Sequence, residues 1–310
     1  MTLLVKIQEL LQQIEKVKPQ LEAIGFKVNQ SNAREAYAKM VQRYMTEVDL
    51  AILLTDDVVL NGNYPVPIRI YHPKPGVKLP VAVFIHGGGH TVGSVAVYDG
   101  VCRKMARISE QIIVAIDYRL SPEFAYPYAL DDCKMAIRYL FKILDERKIA
   151  YRDKSLTLIG DSAGGALCAS IVMDKEFVAV ESITNQILIY PSLDYTLSLP
   201  SVNKFADGYL LEKNKMEWYF DNYFQSGEER KSKSPIYNEF YQKMPRTLVI
   251  TASYDPLQDE GEVYYHNMIK VGAEAELIKV DGVIHAYLML ENLCKEECAQ
   301  TYQEIKKFLE

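Results

Sequence analysis

The sequence predicts an α/β fold in which a mostly parallel central sheet is flanked by helices. From residue 81 onward, short continuous apolar runs recur, and a helical stretch separates each run from the next. Continuous runs, unlike alternating ones, are typical of strands that are buried on both faces of a parallel sheet. At 310 residues, the chain suits one large α/β unit with room for a subdomain.

Two helices are expected before the first strand. In residues 3–24 the apolar side chains recur at alternating steps of three and four, which is the spacing of one helix face. Residues 33–45 show a second apolar face of the same kind. A hairpin should follow, because the turn sequence Asn61-Gly62-Asn63 lies between β-rich runs at 51–60 and 66–73.

Six apolar runs are expected to form the following strands, and they are residues 81–85, 111–117, 156–160, 186–191, 247–253 and 275–280. The interval 198–243 breaks this alternation of strands and helices and is rich in aromatic side chains. Two interpretations explain these aromatics equally well. The interval forms helices that pack on the core, or it joins the N-terminal helices as a lid.

Charge and cysteine content exclude several classes of protein. The net charge is −6 and no block of lysine and arginine is present, so neither nucleic acid nor an anionic membrane is an expected partner. Charged side chains are spread through residues 1–20, which a signal peptide or a spanning helix would not tolerate, and a cytoplasmic location is expected. The five cysteines form no C-x-x-C pair, which favours buried thiols over disulfides or a zinc site.

A nucleophile motif follows the run at 156–160. The segment Gly160-Asp161-Ser162-Ala163-Gly164 fits G-x-S-x-G, and a small-residue helical stretch comes directly after it. Glycines on both sides permit the tight turn that would lift the Ser162 hydroxyl above the sheet. A serine hydroxyl is a poor nucleophile until a neighbouring base accepts its proton, so a histidine partner is required.

Five histidines are candidates for that base. His72 and His266 lie in a hairpin exit and a helical run, where a structural or surface role is expected, and His86 and His90 bracket three glycines. His285 comes just past the last apolar run, at the carboxyl edge of the sheet where active sites of parallel α/β proteins collect. His285 is therefore the predicted base.

The base needs an acid that fixes its tautomer. Asp255 follows the run at 247–253 and lies between Ser162 and His285 in sequence. Asp259 and Glu260 are competitors, but they fall into the first turn of the next helix, where negative charge is favourable without any catalytic role. Asp255 is the predicted acid.

The three glycines after the run at 81–85 suggest an oxyanion site. An attacked acyl carbonyl develops negative charge on its oxygen, and backbone N–H groups must approach that oxygen closely. Gly88 and Gly89, together with the N–H of Ala163, are predicted to supply these donors. His86 and His90 are four residues apart, yet no metal is expected there, because the intervening glycines disfavour the helix that such a ligand pair usually needs.

With these motifs assembled, the chain resembles the hormone-sensitive-lipase-like esterases, the bacterial family IV carboxylesterases of the α/β-hydrolase superfamily. The resemblance rests on "HGGG" at 86–89, "DYRLSPE" at 117–123, "GDSAGG" at 160–165, "YPSLD" at 190–194, "DPLQDEG" at 255–261 and the final His285. It implies an α/β-hydrolase fold with a helical cap, divided into a cap segment at 1–50, core at 51–197, a cap insertion at 198–243 and core at 244–310. It also implies the same triad and oxyanion donors, no cofactor, and assembly as a homodimer.

The expected function is hydrolysis of short- to medium-chain carboxylic esters, with a small-molecule ester as the only partner besides a second copy of the chain. Two alternatives stay open: an amidase or deacetylase with the same triad, and a ligand-binding member of the fold without catalysis. His90 departs from the family pattern, in which an aromatic residue is usual after the glycines, and it is expected to border the substrate pocket. Gln258 and the sequence "HAY" at 285–287 are further departures.

Overall fold

The computed structural model describes residues 2–47 and 51–310, and within them eight strands form one sheet in the order β1-β2-β4-β3-β5-β6-β7-β8. The strands are β1 (Leu53–Asn61), β2 (Tyr64–His72), β3 (Leu79–Ile85), β4 (Ile112–Ile116), β5 (Tyr151–Asp161), β6 (Ile183–Ile189), β7 (Arg246–Tyr254) and β8 (Ala275–Ile284). Each of the six predicted apolar runs lies within or overlaps one of the strands β3 to β8, so the predicted strand set is confirmed.

Ten α-helices lie in the same described part of the chain. They are α1 (Val5–Ala23), α2 (Gln30–Tyr44), α3 (Asp99–Ser109), α4 (Tyr128–Glu146), α5 (Ala163–Met173), α6 (Pro200–Lys204), α7 (Lys213–Tyr223), α8 (Arg230–Lys233), α9 (Gln258–Lys270) and α10 (Lys295–Leu309). Short 3₁₀ helices span Val178–Ser182, Pro235–Tyr237 and Tyr287–Leu293. The alternation of strands and helices after β3 is that of an α/β fold.

The hairpin predicted from the turn sequence is present. Asn61 pairs with Tyr64, so Gly62 and Asn63 form a two-residue loop, and Gly62 has a φ of +59°, which suits glycine in such turns. β2 also runs antiparallel to β4, whereas the other neighbouring strands are parallel. The mostly parallel sheet is therefore confirmed.

Both faces of the sheet are covered, which explains its apolar strands. β4 is buried along its whole length, and β3 is buried at every position except Pro80. Residues of α4, α5 and α9 pack in a hydrophobic cluster on one face, while residues of α1, α3 and α10 belong to the cluster on the other face. The carboxyl edge of the parallel strands is thus the open side on which a site can form.

Helix α2 begins three residues before the position expected from its apolar pattern. The side chain of Asn29 accepts the N–H of Asn32, and the side chain of Asn32 accepts the N–H of Asn29, at 3.0 and 2.9 Å. This reciprocal capping satisfies backbone donors that would otherwise be free at the helix start. The cap, rather than the apolar spacing, therefore determines where α2 begins.

The aromatic interval 198–243 contains α6, α7 and α8. In α7, the side chains of Tyr219, Phe220 and Tyr223 are buried. Its C-terminal end is tied to the core, because the Tyr126 N–H donates to the carbonyl of Tyr223 at 2.7 Å. Side chains of this interval thus pack on the core, and its role as a lid stays a prediction.

The five cysteine side chains are buried and free of disulfides, with Cys294 and Cys298 Sγ atoms 3.7 Å apart. Among the helices of the described residues, none has the length and apolar character needed to cross a membrane.

Candidate active site

Ser162 lies at the sharp turn between β5 and α5. Its φ and ψ are +51° and −120°, a strained combination for a residue with a side chain. Gly164 permits the turn, because a Cβ atom at that position would come within 1.9 Å of the carbonyl oxygen of Ile85. The turn places the Ser162 side chain at the carboxyl edge of the sheet, where it stays 8% exposed.

The two predicted partners of Ser162 meet it there. His285 directly follows β8, and its Nε2 lies 2.9 Å from Ser162 Oγ. Its Nδ1 lies 2.7 Å from Oδ2 of Asp255, which is fully buried after β7. A carboxylate only accepts hydrogen bonds, so the Nδ1 proton is donated to Asp255, and Nε2 is left to accept the Ser162 hydroxyl proton. The three residues therefore form one continuous hydrogen-bonded chain.

Asp255 is itself held in place by its own backbone neighbourhood. The N–H of Leu257 donates to Oδ1 of Asp255 at 2.8 Å, leaving Oδ2 for the histidine. The rings of Tyr190 and His285 pack in a T-shaped arrangement, with ring centroids 5.0 Å apart. These contacts fix both the carboxylate and the imidazole in the orientation that the chain of hydrogen bonds needs.

The glycine loop after β3 leaves backbone donors free beside Ser162. Gly88 and Gly89 have φ angles of +109° and +57°, and among the described residues their N–H groups have no acceptor. Ala163 is the first residue of α5, so its N–H has no acceptor within the helix. All three residues line the same cavity as Ser162 and His285, where such donors can meet an oxyanion.

Asp161 links this loop to the nucleophile turn. Its carboxylate accepts the N–H of Gly87 at 2.7 Å and the hydroxyl of Tyr98 at 3.0 Å. Because Tyr98 donates to Asp161, its oxygen accepts from the hydroxyl of Tyr37 in α2, 2.7 Å away. Burial raises the pKa of Asp161 to about 6, although both hydrogen bonds oppose that rise. Sequence reasoning missed this network, and its only sequence signal was the acidic residue inside the nucleophile motif.

A cavity of about 300 Å³ opens above these groups. Its floor consists of the glycine loop, Ser162, Ala163 and His285, and its walls come from α2 and α7, including Tyr37, Met40, Met216 and Tyr219. The lining is mostly apolar with a few convergent polar groups, which is typical of small-molecule sites. The site can thus bind a small, largely apolar molecule against an activated serine.

His90 does not border the cavity, so that prediction is wrong. Its side chain is fully buried, its ring stacks on Tyr223 with centroids 3.7 Å apart, and its Nε2 lies 3.1 Å from the hydroxyl of Tyr195. Burial lowers the pKa of His90 to about 3, so the ring is neutral at pH 7. The positive φ of +59° turns this side chain behind the glycine loop, and position in sequence alone did not indicate that direction.

Glu260 lies in the first turn of α9, as expected, and Asp255 rather than Glu260 contacts His285. The sequence did not indicate that Glu260 is fully buried. One carboxylate oxygen accepts the N–H groups of Leu193 and Asp194, and the other has no hydrogen-bond partner. Burial raises its pKa well above the usual value. Glu260 thus braces the segment after β6. Asp259, its neighbour, accepts the N–H of Ser201 at 2.8 Å.

The remaining histidines lie outside the hydrogen-bonded chain. His86 stacks on Tyr118, with ring centroids 4.3 Å apart, and His72 is buried at the end of β2. His266 lies in α9. Among the described residues, no group of three or more histidine, cysteine, aspartate or glutamate side chains is arranged to hold a metal ion.

The fold and this site define an α/β protein with a nucleophilic serine at the carboxyl edge of its sheet. A family model described as an alpha/beta hydrolase fold matches residues 82–289. The chain is 28% identical over 242 residues to an ethyl acetate hydrolase of Pseudomonas putida, covering 76% of this chain and 75% of the relative. It is 30% identical over 281 residues to an arylesterase of Saccharolobus solfataricus, covering 89% and 87%.

The structure is similar to that of a hyperthermophilic esterase from the archaeon Pyrobaculum calidifontis. The TM-score is 0.89 at 30% sequence identity, and the match covers all of this chain and 98% of the other. The chain belongs to the hormone-sensitive-lipase-like family of the α/β-hydrolase superfamily. The predictions of this family and of a carboxylic ester hydrolase are confirmed.

Proposed function

We propose that this protein hydrolyses short- to medium-chain carboxylic esters through an acyl-enzyme, with Ser162, His285 and Asp255 as the catalytic triad. The observation that carries the proposal is the continuous hydrogen-bonded chain from Ser162 Oγ through His285 to Asp255, at 2.9 and 2.7 Å. Free backbone donors beside it supply the second requirement of acyl transfer, which is stabilisation of an oxyanion.

In the first half of the reaction, Ser162 Oγ attacks the ester carbonyl carbon while its proton passes to His285 Nε2. The carbonyl π electrons move to the oxygen, and the resulting oxyanion accepts hydrogen bonds from the N–H groups of Gly88, Gly89 and Ala163. When the carbonyl re-forms, the bond to the alcohol oxygen breaks, and that oxygen takes the proton from His285. The alcohol leaves, and the acyl group stays on Ser162.

In the second half, a water molecule attacks the acyl carbonyl while His285 Nε2 accepts one of its protons. The second tetrahedral intermediate collapses, Ser162 Oγ takes that proton, and the carboxylic acid is released. Throughout, Asp255 stabilises the positive charge that forms on His285 by accepting the Nδ1 hydrogen bond. No cofactor enters either half.

The same observation disfavours the alternative that the chain is a ligand-binding protein without catalysis. Such a protein needs a cavity but no base within hydrogen-bonding distance of the serine, whereas His285 lies 2.9 Å from Ser162. An amide substrate would use the same groups, so the experiment below includes an anilide.

The test is hydrolysis of p-nitrophenyl esters from acetate to laurate, with p-nitroacetanilide alongside, by the wild type and by two serine variants. Ser162→Ala should remove turnover of every ester. Ser192→Ala is the matched control, because Ser192 lines the cavity too but has no histidine at its hydroxyl. Esterase turnover that survives in Ser162→Ala, or faster turnover of the anilide than of the acetate ester, would contradict the proposal.

We further propose that residues 1–50 and 198–243 act as a cap over a core formed by 51–197 and 244–310. Support comes from the cavity walls, which α2 and α7 supply, and from the Lys18 to Glu212 ion pair at 2.5 Å, which joins the two segments. Assembly as a homodimer and a cytoplasmic location stay predictions from the sequence. Light scattering on the purified protein tests the first of them.

A further inference from the structure

Lys215 is a cationic residue in the wall of a mostly apolar cavity. It lies in α7, one turn before Tyr219, and both residues line the cavity together with Ser162 and His285. Positions four apart share one side of a helix. Tyr219 lies at the end of this wall that meets the glycine loop, because its ring lies against Gly89. Lys215 therefore lies one helical turn, about 6 Å along the α7 axis, from the residue that packs beside the glycine loop.

Among the described residues, the ammonium group of Lys215 makes no direct ion pair, although the Glu212 carboxylate is near enough to favour its charge. In the described part of the chain no carboxylate forms an ion pair with it and no acceptor forms a hydrogen bond with it. Glu212, on the preceding turn, is already engaged by Lys18 at 2.5 Å and by the N–H of Gly208 at 2.9 Å. Lys18 in turn also contacts Glu15 at 2.5 Å.

The surroundings of Lys215 disfavour its charge. Lys215 is an exposed residue that also lines the cavity between α2 and α7. Desolvation by the surrounding protein lowers the pKa of Lys215, while the nearby Glu212 carboxylate opposes this and Lys18 adds to it. The only carboxylate among the lining residues, Asp161, is used by Gly87 and Tyr98. An anion that enters the cavity would therefore meet a cation whose nearby carboxylate, Glu212, is shared with Lys18 and with the N–H of Gly208.

We propose that Lys215 binds a carboxylate at the end of the substrate remote from the scissile ester, so that the preferred substrates are monoesters that carry one free acid group. This inference rests on the proposed esterase function and specifies its substrate class. A carboxylate is favoured over a phosphate, because one ammonium balances a single negative charge and the rest of the lining is mostly apolar and supplies no second cationic side chain from lysine or arginine. A spacer of a few methylene groups spans the one helical turn, ~6 Å, that separates Lys215 from Tyr219 beside the glycine loop.

The experiment compares matched pairs of esters in a pH-stat assay. Monoethyl adipate is paired with ethyl hexanoate, which places the acid group on the acyl side, and 6-acetoxyhexanoate is paired with hexyl acetate, which places it on the alcohol side. In Lys215→Met, the ratio of kcat/KM for the charged to the neutral ester should fall at least about tenfold in one pair, since a charge-assisted hydrogen bond is lost. The pair that responds shows which side of the ester faces Lys215.

Two variants serve as controls. Lys215→Arg keeps the charge and should keep most of the preference. Lys213→Met removes a lysine from the same helix that lies outside the cavity lining and donates to Asn203 at 3.0 Å, so the ratio should stay within about twofold of the wild type. A ratio that Lys215→Met leaves unchanged in both pairs would overturn the proposal, even if the neutral esters are turned over normally.

A binding measurement separates this proposal from the esterase proposal. Calorimetry with Ser162→Ala and with Ser162→Ala/Lys215→Met measures the dissociation constant of monoethyl adipate without turnover. We expect at least a tenfold weaker affinity in the double variant if the acyl side faces Lys215, and the same loss for 6-acetoxyhexanoate if the alcohol side does. If the wild type hydrolyses no ester but binding still depends on Lys215, the esterase proposal is refuted and the role of Lys215 in binding is not. If Ser162→Ala and Ser162→Ala/Lys215→Met bind monoethyl adipate equally well, and also bind 6-acetoxyhexanoate equally well, the role of Lys215 is refuted.

Discussion

Gly89→Ala should disable the oxyanion site while costing little stability. Gly89 has a φ of +57°, and a Cβ atom there would lie 2.3 Å from the ring of Tyr219. The backbone conformation alone costs alanine about 1–2 kcal/mol. In a chain of 310 residues, 1 kcal/mol corresponds to ~1.5 °C in Tm, so the backbone term lowers Tm by about 2–3 °C. The steric clash must be relieved by movement of the loop, the ring or both.

Movement of the loop displaces the N–H groups of Gly88 and Gly89, and the loss of one such donor typically costs ~10²–10³ in kcat. Gly62→Ala is the matched control, because Gly62 has a nearly equal φ of +59° but no atom within 4 Å of its added Cβ. It should lose a similar 2–3 °C and keep full activity.

The assay is kcat with p-nitrophenyl butyrate, together with Tm by differential scanning fluorimetry. The clash also predicts a rescue: Gly89→Ala/Tyr219→Ala should regain at least about tenfold in kcat over Gly89→Ala, after correction for the effect of Tyr219→Ala alone. If Gly89→Ala retains kcat within a few fold of the wild type, the assignment of this loop as the oxyanion site is refuted. Equal activity losses in Gly89→Ala and Gly62→Ala would refute the steric argument.

Three further predictions follow from the contacts around the site. Asp255→Asn should lower kcat by ~10⁴ with little change in fold, because the amide cannot hold the required histidine tautomer. Steady-state kinetics measure the loss of activity and circular dichroism checks the fold. A loss of kcat below tenfold would contradict the prediction. Because the pKa of Asp161 is raised from 3.8 to about 6 in the folded protein, its contribution to the free energy of unfolding falls as pH rises through this interval. Asp161→Asn should therefore gain about 2 kcal/mol on the wild type between pH 4 and pH 6 in urea titrations. If the difference in free energy of unfolding between Asp161→Asn and the wild type does not change between pH 4 and pH 6, the prediction is contradicted. Arg34→Met should raise KM several-fold more than it lowers kcat. Arg34 holds α2, which forms a wall of the cavity, by hydrogen bonds to Glu123 and to the carbonyls of Thr91 and Ser121. An unchanged KM in ester kinetics would contradict this prediction.

Sequence reasoning succeeded where chain direction and strand order fix a position. Ser162, Asp255 and His285 each follow a buried strand, and parallel strands bring their carboxyl ends to one edge of the sheet. Their contact could therefore be predicted without any knowledge of side-chain packing. The same holds for the hairpin at Gly62, since its turn chemistry is local.

Positions that depend on packing between distant segments could not be predicted in this way. The direction of the His90 side chain depends on Tyr223, which is far away in sequence. Glu260 reads as an ordinary first-turn carboxylate, and only the backbone of Leu193 and Asp194 shows why it is buried. Lys215 looks like a surface lysine until α2 and α7 are seen to enclose one cavity.

The central claim is an acyl-enzyme on Ser162. The most direct measurement is intact-mass spectrometry of protein that is acid-quenched during turnover of p-nitrophenyl butyrate, followed by peptide mapping. We expect a fraction of the wild type to carry one butyryl group on the peptide that contains Ser162, and none in Ser162→Ala. In His285→Ala, treatment with a fluorophosphonate should label Ser162 far more slowly than in the wild type. A butyryl group on any other residue, or turnover and labelling that persist in Ser162→Ala, would contradict the account.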